Sequence, residues 1–328
     1  MSARSIVAIV WAPKGYGQRS AAFSEWLGAK EYNIHYLKHR RPIYAPVKYI
    51  FQWLKTWQVL WKERPDFVFV TNSPPVAGLC AGLYCMVTRT RFALDTHPPT
   101  LFGRKWRWSQ PIIRFVARRA TINIIDQERF GRLIASWGAK VIILPDPPKT
   151  VPTALVQSEN GADQVAFSYV GTFAGDEPID ILLDAARALP DVTFYLLGKK
   201  SQAKPGWIKS APPNAIFTDY LVGDHYWKRL ACSRAVIALT THPHSLLAAA
   251  QDGLSIDKPL LLSDQPVLRE YFTKGAVFVP HTTSGFVEGI KTLLAQEAQY
   301  QREIAELHTE RAQTWDENFR QLQEIAGA

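Results

Sequence analysis

Apolar residues in this chain fall into two alternating rhythms. Short β-branched and aromatic runs recur at residues 5–11, 32–37, 67–71, 91–95, 121–125 and 141–145. Between them, stretches with helical spacing lie at 20–30, 47–63, 76–87, 110–119 and 127–137. Strand and helix in alternation predict a parallel sheet covered on both faces. The rhythm pauses at Pro145, Pro147, Pro148 and Pro152 and the polar stretch 157–164, which read as a linker. It restarts with strands expected at 165–170, 193–197, 215–217, 235–239, 259–262 and 276–279, then a helical tail from 282 onward. The pattern predicts two doubly wound α/β domains, 1–150 and 151–300, with a tail 301–328 returning to the first. Sheets of this kind bind ligands outside the carboxyl ends of their strands, so both are expected to face a central cleft.

The length of 328 residues supports this division, because it exceeds what one hydrophobic core usually holds. Charge divides with it. Residues 1–150 carry a net charge of +15 and residues 151–328 a net charge of −6, and eight of the eleven Trp lie in the basic half. Such a surface suits an anionic membrane, acidic glycans or nucleic acid, but no nucleic-acid recognition motif is present and that partner is not expected. Ile50, Trp53, Leu54, Trp57, Leu60 and Trp61 form one helical stripe, read as core, while Arg104-Lys105-Trp106-Arg107-Trp108 reads as a basic, aromatic loop suited to a bilayer interface. The apolar run at 5–11 is followed by Lys14 and Arg19 with no small-residue cleavage site, which argues against a signal peptide. The longest other run, 74–87, is shorter than the ~20 residues that span a bilayer. Three cysteines without metal-ligand spacing suit a reducing compartment. The expected location is cytoplasmic, peripheral at the inner face of the membrane.

Candidate chemistry sits where strands end. Gly171-Thr172-Phe173 precedes a helical stretch from 179; a glycine there serves either a tight turn or a phosphate cradle, and Asp176, Glu177 and Asp180 suit the first turn of the helix as caps. Thr240-Thr241-His242-Pro243-His244-Ser245-Leu246 follows another strand, and Asp252 can offer a carboxylate to a vicinal diol. With Asp257-Lys258-Pro259, Ser263-Asp264, Val267 to Phe272 and Val279-Pro280, this region resembles the C-terminal domain of GT-B glycosyltransferases of the family 4-like group. The resemblance implies that Asp252 holds the nucleotide ribose and that His244 stands where that group has a Glu. The group's basic pair for the donor diphosphate is missing near Thr172 and Pro178, which leaves Lys199 and Lys200, or the amides of Gly171 to Phe173 and of Ser245 and Leu246. In the first half, Asp95-Thr96-His97 looks like the group's strand-end histidine motif, and the loop bearing Gly15 and Gly17 lies where it contacts donor or acceptor. A His near a carboxylate is a plausible general base.

The resemblance implies a glycosyltransferase with a nucleotide-sugar as substrate and a lipid-linked or polysaccharide acceptor, with catalytic His97 and Asp95. Donor-binding residues would be Gly15, Gly17, Gly171, Thr172, Phe173, Lys199, His244, Ser245, Leu246 and Asp252. No Asp-x-Asp occurs, so no essential metal and no cofactor are expected. A non-transferring sugar-nucleotide epimerase and an inactive nucleotide- or glycan-binding module are the alternatives.

Overall fold

The computed structural model describes residues 5–14, 18–36, 44–146, 149–156 and 165–327. The chain divides into two compact units, Met1–Pro147 with Thr314–Ala328, and Pro148–Gln313.

The first unit runs β1 (Ile6–Val10), α1 (Gln18–Trp26), β2 (Lys30–Asn33), α2 (Ala45–Glu63), β3 (Phe67–Thr71), α3 (Pro75–Thr88) and β4 (Arg91–Asp95). It continues through α4 (Pro98–Phe102), a 3₁₀ turn (Arg104–Ser109), α5 (Gln110–Ala117), β5 (Ile122–Ile125), α6 (Glu128–Ser136) and β6 (Val141–Ile143). The strands are parallel in the order β2-β1-β3-β4-β5-β6. Successive side chains of a strand face opposite sides, so each run feeds two cores. Val7, Ile9, Val68 and Val70 pack toward α2 and α3. Ala8, Phe67 and Phe69 pack on the other side with Phe23 and with Trp315, Phe319 and Leu322 of the C-terminal segment.

The second unit runs α7 (Thr153–Val156), β7 (Ala166–Val170), α8 (Ile179–Ala188), β8 (Thr193–Leu197), α9 (Pro205–Ser210), β9 (Ala215–Asp219), α10 (Gly223–Ala231) and β10 (Ala235–Ala238). It ends with α11 (Ala248–Leu254), β11 (Leu260–Ser263), α12 (Pro266–Tyr271), β12 (Ala276–Val279), α13 (Thr283–Ala295) and the start of α14 (Glu297–Ala326). Its parallel order is β12-β11-β10-β7-β8-β9. Helix α14 crosses Gly275 so closely that a Cβ there would lie 2.5 Å from the Ile304 backbone, and Gly275 has φ +70°. Only glycine fits both conditions.

Several expectations are corrected. The helical tail is two helices broken at Gln296; of residues 301–328, only Thr314–Ala328 belong to the first unit, as expected, and 301–313 belong to the second. The edge strand β2 lies earlier than expected and is only half-buried. The basic segment expected as a loop is the 3₁₀ turn Arg104–Ser109. Asp180 stands in the first turn of α8 as expected, but Asp176 and Glu177 precede the helix and no side chain caps it. Most consequential is α2. Its stripe is core only in part: Leu60 is buried and Trp53 and Trp57 pack against the core, but Ile50 is 59%, Leu54 61% and Trp61 49% exposed, whereas the polar Gln52 and Thr56 are fully buried.

Candidate functional site

In each sheet the strand order reverses once, between β1 and β3 in the first unit and between β7 and β10 in the second. Loops leaving such a pair diverge to opposite faces and open a crevice at the carboxyl ends.

In the first unit that crevice is a cleft of about 550 Å³. Trp11 after β1, Thr71 at the end of β3 and His97 after β4 line it, with Tyr49, Lys48 and Lys105. Asp95 is the last residue of β4 and wholly buried. Arg19 of α1 places Nη2 3.1 Å from Asp95 Oδ1. Neither atom has an aligned hydrogen bond, so this is a charge contact. Ser20 Oγ donates to Asp95 Oδ2 at 3.5 Å, and Thr71 Oγ1 donates to Ser20 Oγ at 2.8 Å. His97 Nε2 lies 3.6 Å from Asp95 Oδ2. That is too long for a hydrogen bond but close enough for the carboxylate to stabilise an imidazolium. His97 precedes α4 in extended conformation, which turns it off the strand, and two prolines fix the start of that short helix.

Sequence reasoning paired Asp95 with His97 but missed Arg19 and the acids around it. Asp146, after β6, reaches Arg19 at 3.7 Å. Asp126, after β5, is pushed up in pKa by burial, with Arg19 and His97 opposing that shift, and its Oδ1 is buried without a hydrogen-bond partner. The available signal was position: Asp95 and Asp126 both sit where neighbouring parallel strands end. Gly15 and Gly17 lie outside the described residues.

In the second unit, Gly171 is held by packing. A Cβ on it would meet Tyr169 Oη at 1.8 Å, because the Tyr169 hydroxyl passes over it to donate to Glu177 Oε2 at 2.5 Å. The Gly171 amide donates to Leu197 O, and the Thr172 amide and hydroxyl donate to Glu177 Oε1 at 3.0 and 2.9 Å. The turn is thus closed by Glu177, and these two amides are already engaged. Phe173, at φ +58°, is buried against Tyr169 and Phe217 in the core. Lys199 is exposed ahead of the 3₁₀ turn Lys200–Gln202. His244, Ser245 and Leu246 are half-buried in the segment before α11, which starts only at Ala248, so their amides are not those of its first turn. Asp252 is buried with both oxygens engaged: Tyr226 Oη donates at 2.6 Å and Lys149 Nζ lies 2.5 Å away.

What this crevice brings together instead is a polar chain from four loops. Thr240 Oγ1 donates to Asp176 Oδ2 at 2.7 Å across the β7–β10 reversal, and the Thr240 amide donates to Ser263 Oγ at 2.9 Å. His281 Nε2 lies 2.8 Å from Ser263 Oγ. Burial lowers the His281 pKa although Asp264 raises it, which favours the neutral ring that can accept the Ser263 proton. Ser263-Asp264 was noted in the sequence; His281 was not. Among the described residues no group of three His, Cys, Asp or Glu is placed to hold a metal ion, and no helix is long and apolar enough to cross a membrane.

Two parallel doubly wound units, each with one strand-order reversal, define the GT-B fold, and the chain has that fold. No family model matches the chain and no curated protein matches it in sequence. Solved structures do. HepE from Anabaena, in complex with UDP, matches with a TM-score of 0.73 at 13% identity over 98% of this chain and 99% of that one. Sucrose-phosphate synthase from Thermosynechococcus elongatus matches with 0.71 at 12% identity over 98% of both chains. UDP-GlcNAc 2-epimerase from Neisseria meningitidis, bound to UDP-GlcNAc, matches with 0.67 at 12% identity over 98% of this chain and 99% of that one. At such identities the likeness is one of fold.

Proposed function

We propose that the chain is a glycosyltransferase that moves a sugar from a nucleotide-sugar donor to a lipid-linked or polysaccharide acceptor in cell-surface glycan synthesis, working as a peripheral protein at the cytoplasmic face of the membrane. The observation that carries this reading is the crevice of the first unit, where His97 stands beside a buried, Arg-held Asp95. Two proteins of the same fold are named for complexes with UDP and UDP-GlcNAc.

In this reading the second unit holds the donor. Lys199 and the Thr240–Ser263–His281 chain face its diphosphate and sugar, and the ribose diol takes the place of half-exposed Lys149 on Asp252. The first unit holds the acceptor. As the acceptor hydroxyl attacks the anomeric carbon, its proton passes to His97 Nε2, the glycosidic bond to the diphosphate breaks, and the Asp95 carboxylate stabilises the imidazolium. General-base catalysis of this kind contributes roughly 10²- to 10⁴-fold. The reaction needs no metal, which turnover in EDTA checks.

The likeness to the Neisseria enzyme favours a second reading, a UDP-sugar epimerase. A panel of UDP-, GDP-, dTDP- and ADP-sugars with membrane extract separates the two. Release of nucleoside diphosphate that needs the extract and falls at least about 10²-fold in His97→Ala supports transfer. Conversion of the donor sugar without acceptor supports epimerisation. No turnover of any donor refutes both.

A further inference from the structure

Helix α2 is apolar on its outward face as well as its inward one, which is unusual for a helix on a water-facing surface. Its buried face carries Val59 and Leu60 of the core together with Gln52 and Thr56, which are fixed by hydrogen bonds from Gln52 Nε2 to Ile34 O at 2.6 Å and from Trp11 Nε1 to Thr56 Oγ1 at 2.9 Å. Its outward face carries Val47, Ile50, Phe51, Leu54 and Trp61, each between 49% and 61% exposed. These recur three, four and seven positions apart, so they share one apolar face, a strip interrupted by the exposed Gln58. Isolated apolar side chains on a surface need no explanation, whereas a strip of this kind marks an interaction site.

The charges around the strip identify what it meets. Lys55 and Lys62 are exposed on the same helix, and its one acidic residue, Glu63, is drawn inward to Lys30 and the Tyr32 hydroxyl. At the N-terminal end Lys48 and Lys105 line the His97 cleft together, and Arg104, Arg107 and Trp108 continue the basic, aromatic surface. Lys48 and Lys105 have no acidic partner among the described residues; burial first, then the Lys105 charge, lower the Lys48 pKa, so an anion beside them would be welcome. A second copy of this face would repel it, and an ordinary protein groove offers no reason for cations without anions along the strip. Apolar side chains flanked by lysines match the headgroup boundary of an anionic bilayer, with the helix lying in its plane.

We propose that the outward face of α2 docks on an anionic lipid bilayer, with Lys48 and Lys105 meeting lipid phosphates at the mouth of the cleft. The proposal rests on the peripheral-membrane part of the reading above but not on the donor, so it is tested without one. Flotation is measured with vesicles of phosphatidylcholine alone and of phosphatidylcholine with equal phosphatidylglycerol, at low and high salt. The protein is expected to float with the anionic vesicles only, and less at high salt. Ile50→Asp with Leu54→Asp, and separately Lys55→Glu with Lys62→Glu, should each weaken binding about tenfold or more. All four residues are exposed, and an unchanged Tm and unchanged stabilisation by UDP-sugars keep a folding defect, or failure of the donor reading, apart from failure of the docking. The proposal is overturned if no vesicle is bound, if neutral vesicles bind equally, if the Ile50→Asp, Leu54→Asp protein floats like wild type, or if the strip instead mediates a dimer that those substitutions dissociate.

Discussion

Asp95→Asn should destabilise the first unit by about 3 kcal/mol, and the reason is Arg19. The two side chains are 1% and 6% exposed and 3.1 Å apart. At an effective dielectric of about 20 their attraction is about 5 kcal/mol, set against the desolvation of both ions. Removing one partner of a buried pair costs about 3–5 kcal/mol because the other charge stays behind unpaired. The low end applies here, since Asp146 remains 3.7 Å from Arg19, although its half-exposed carboxylate is screened by water. Replacing both partners removes the stranded charge. The double variant Arg19→Met, Asp95→Asn should therefore be more stable than the sum of the single losses implies, with a coupling of about 2 kcal/mol. Urea unfolding followed by Trp fluorescence is the suitable assay, because eight of the eleven Trp lie in residues 1–150 and Trp315 packs into the same unit. The slope of the transition should be unchanged while the midpoint falls. An Asp95→Asn protein within about 1 kcal/mol of wild type, or strictly additive variants, would refute the argument and mean that Asp126 and Asp146 hold Arg19 without Asp95.

Two further outcomes follow from the same unit. Burial raises the Asp126 pKa above its usual value, so on raising the pH the unfolded chain gives up this proton first and the fold loses stability until the folded group ionises too. Asp126→Asn lacks that loss: the variant should match wild type near about pH 3 and exceed it at neutral pH, and equal unfolding midpoints at both would contradict this. Trp315→Ala should cost about 3–5 kcal/mol in the same assay, because Trp315 stacks on Phe319 at 4.9 Å, meets Trp26 edge-on at 5.1 Å and donates to Pro145 O at 3.2 Å; a loss below about 1 kcal/mol would mean the C-terminal segment does not hold this core.

The fold was legible because central parallel strands are buried on both faces and read as unbroken apolar runs. Strands expected at 67–71, 91–95, 193–197 and 276–279 are found at those positions. The edge strand β2 was misplaced because its residues, Lys30-Glu31-Tyr32-Asn33, have almost no apolar signal, while the run after it looked more like a strand. Asp95 and His97 could be found because strand ends are where such sheets work. Their partner could not: Arg19 comes from a helix far away in sequence, and only the β1–β3–β4 adjacency brings them together. Around Asp252 the same limit holds: its place in the chain drew attention to it, but Tyr226 and Lys149, which engage both of its oxygens, are marked by no motif.

Helix α2 shows why periodicity alone cannot settle which side is in. A 3.6-residue period says that a helix has two faces; what each face meets is decided by the neighbours. Here the sheet offers polar groups, the Ile34 carbonyl and the Trp11 indole N–H, and leaving either buried without a partner would cost about 1–3 kcal/mol. Gln52 and Thr56 satisfy them, and both are wholly buried as a result. Trp53, Trp57 and Leu60 flank that polar pair and pack inward, which turns Ile50, Leu54 and Trp61 outward. The stripe is therefore split by two internal hydrogen bonds, and the half left outside is apolar with lysines at its edges. A chain that met only water on this side would gain nothing from such residues, so the outward face of α2 is better understood as fitted to a second surface than as a core that failed to close.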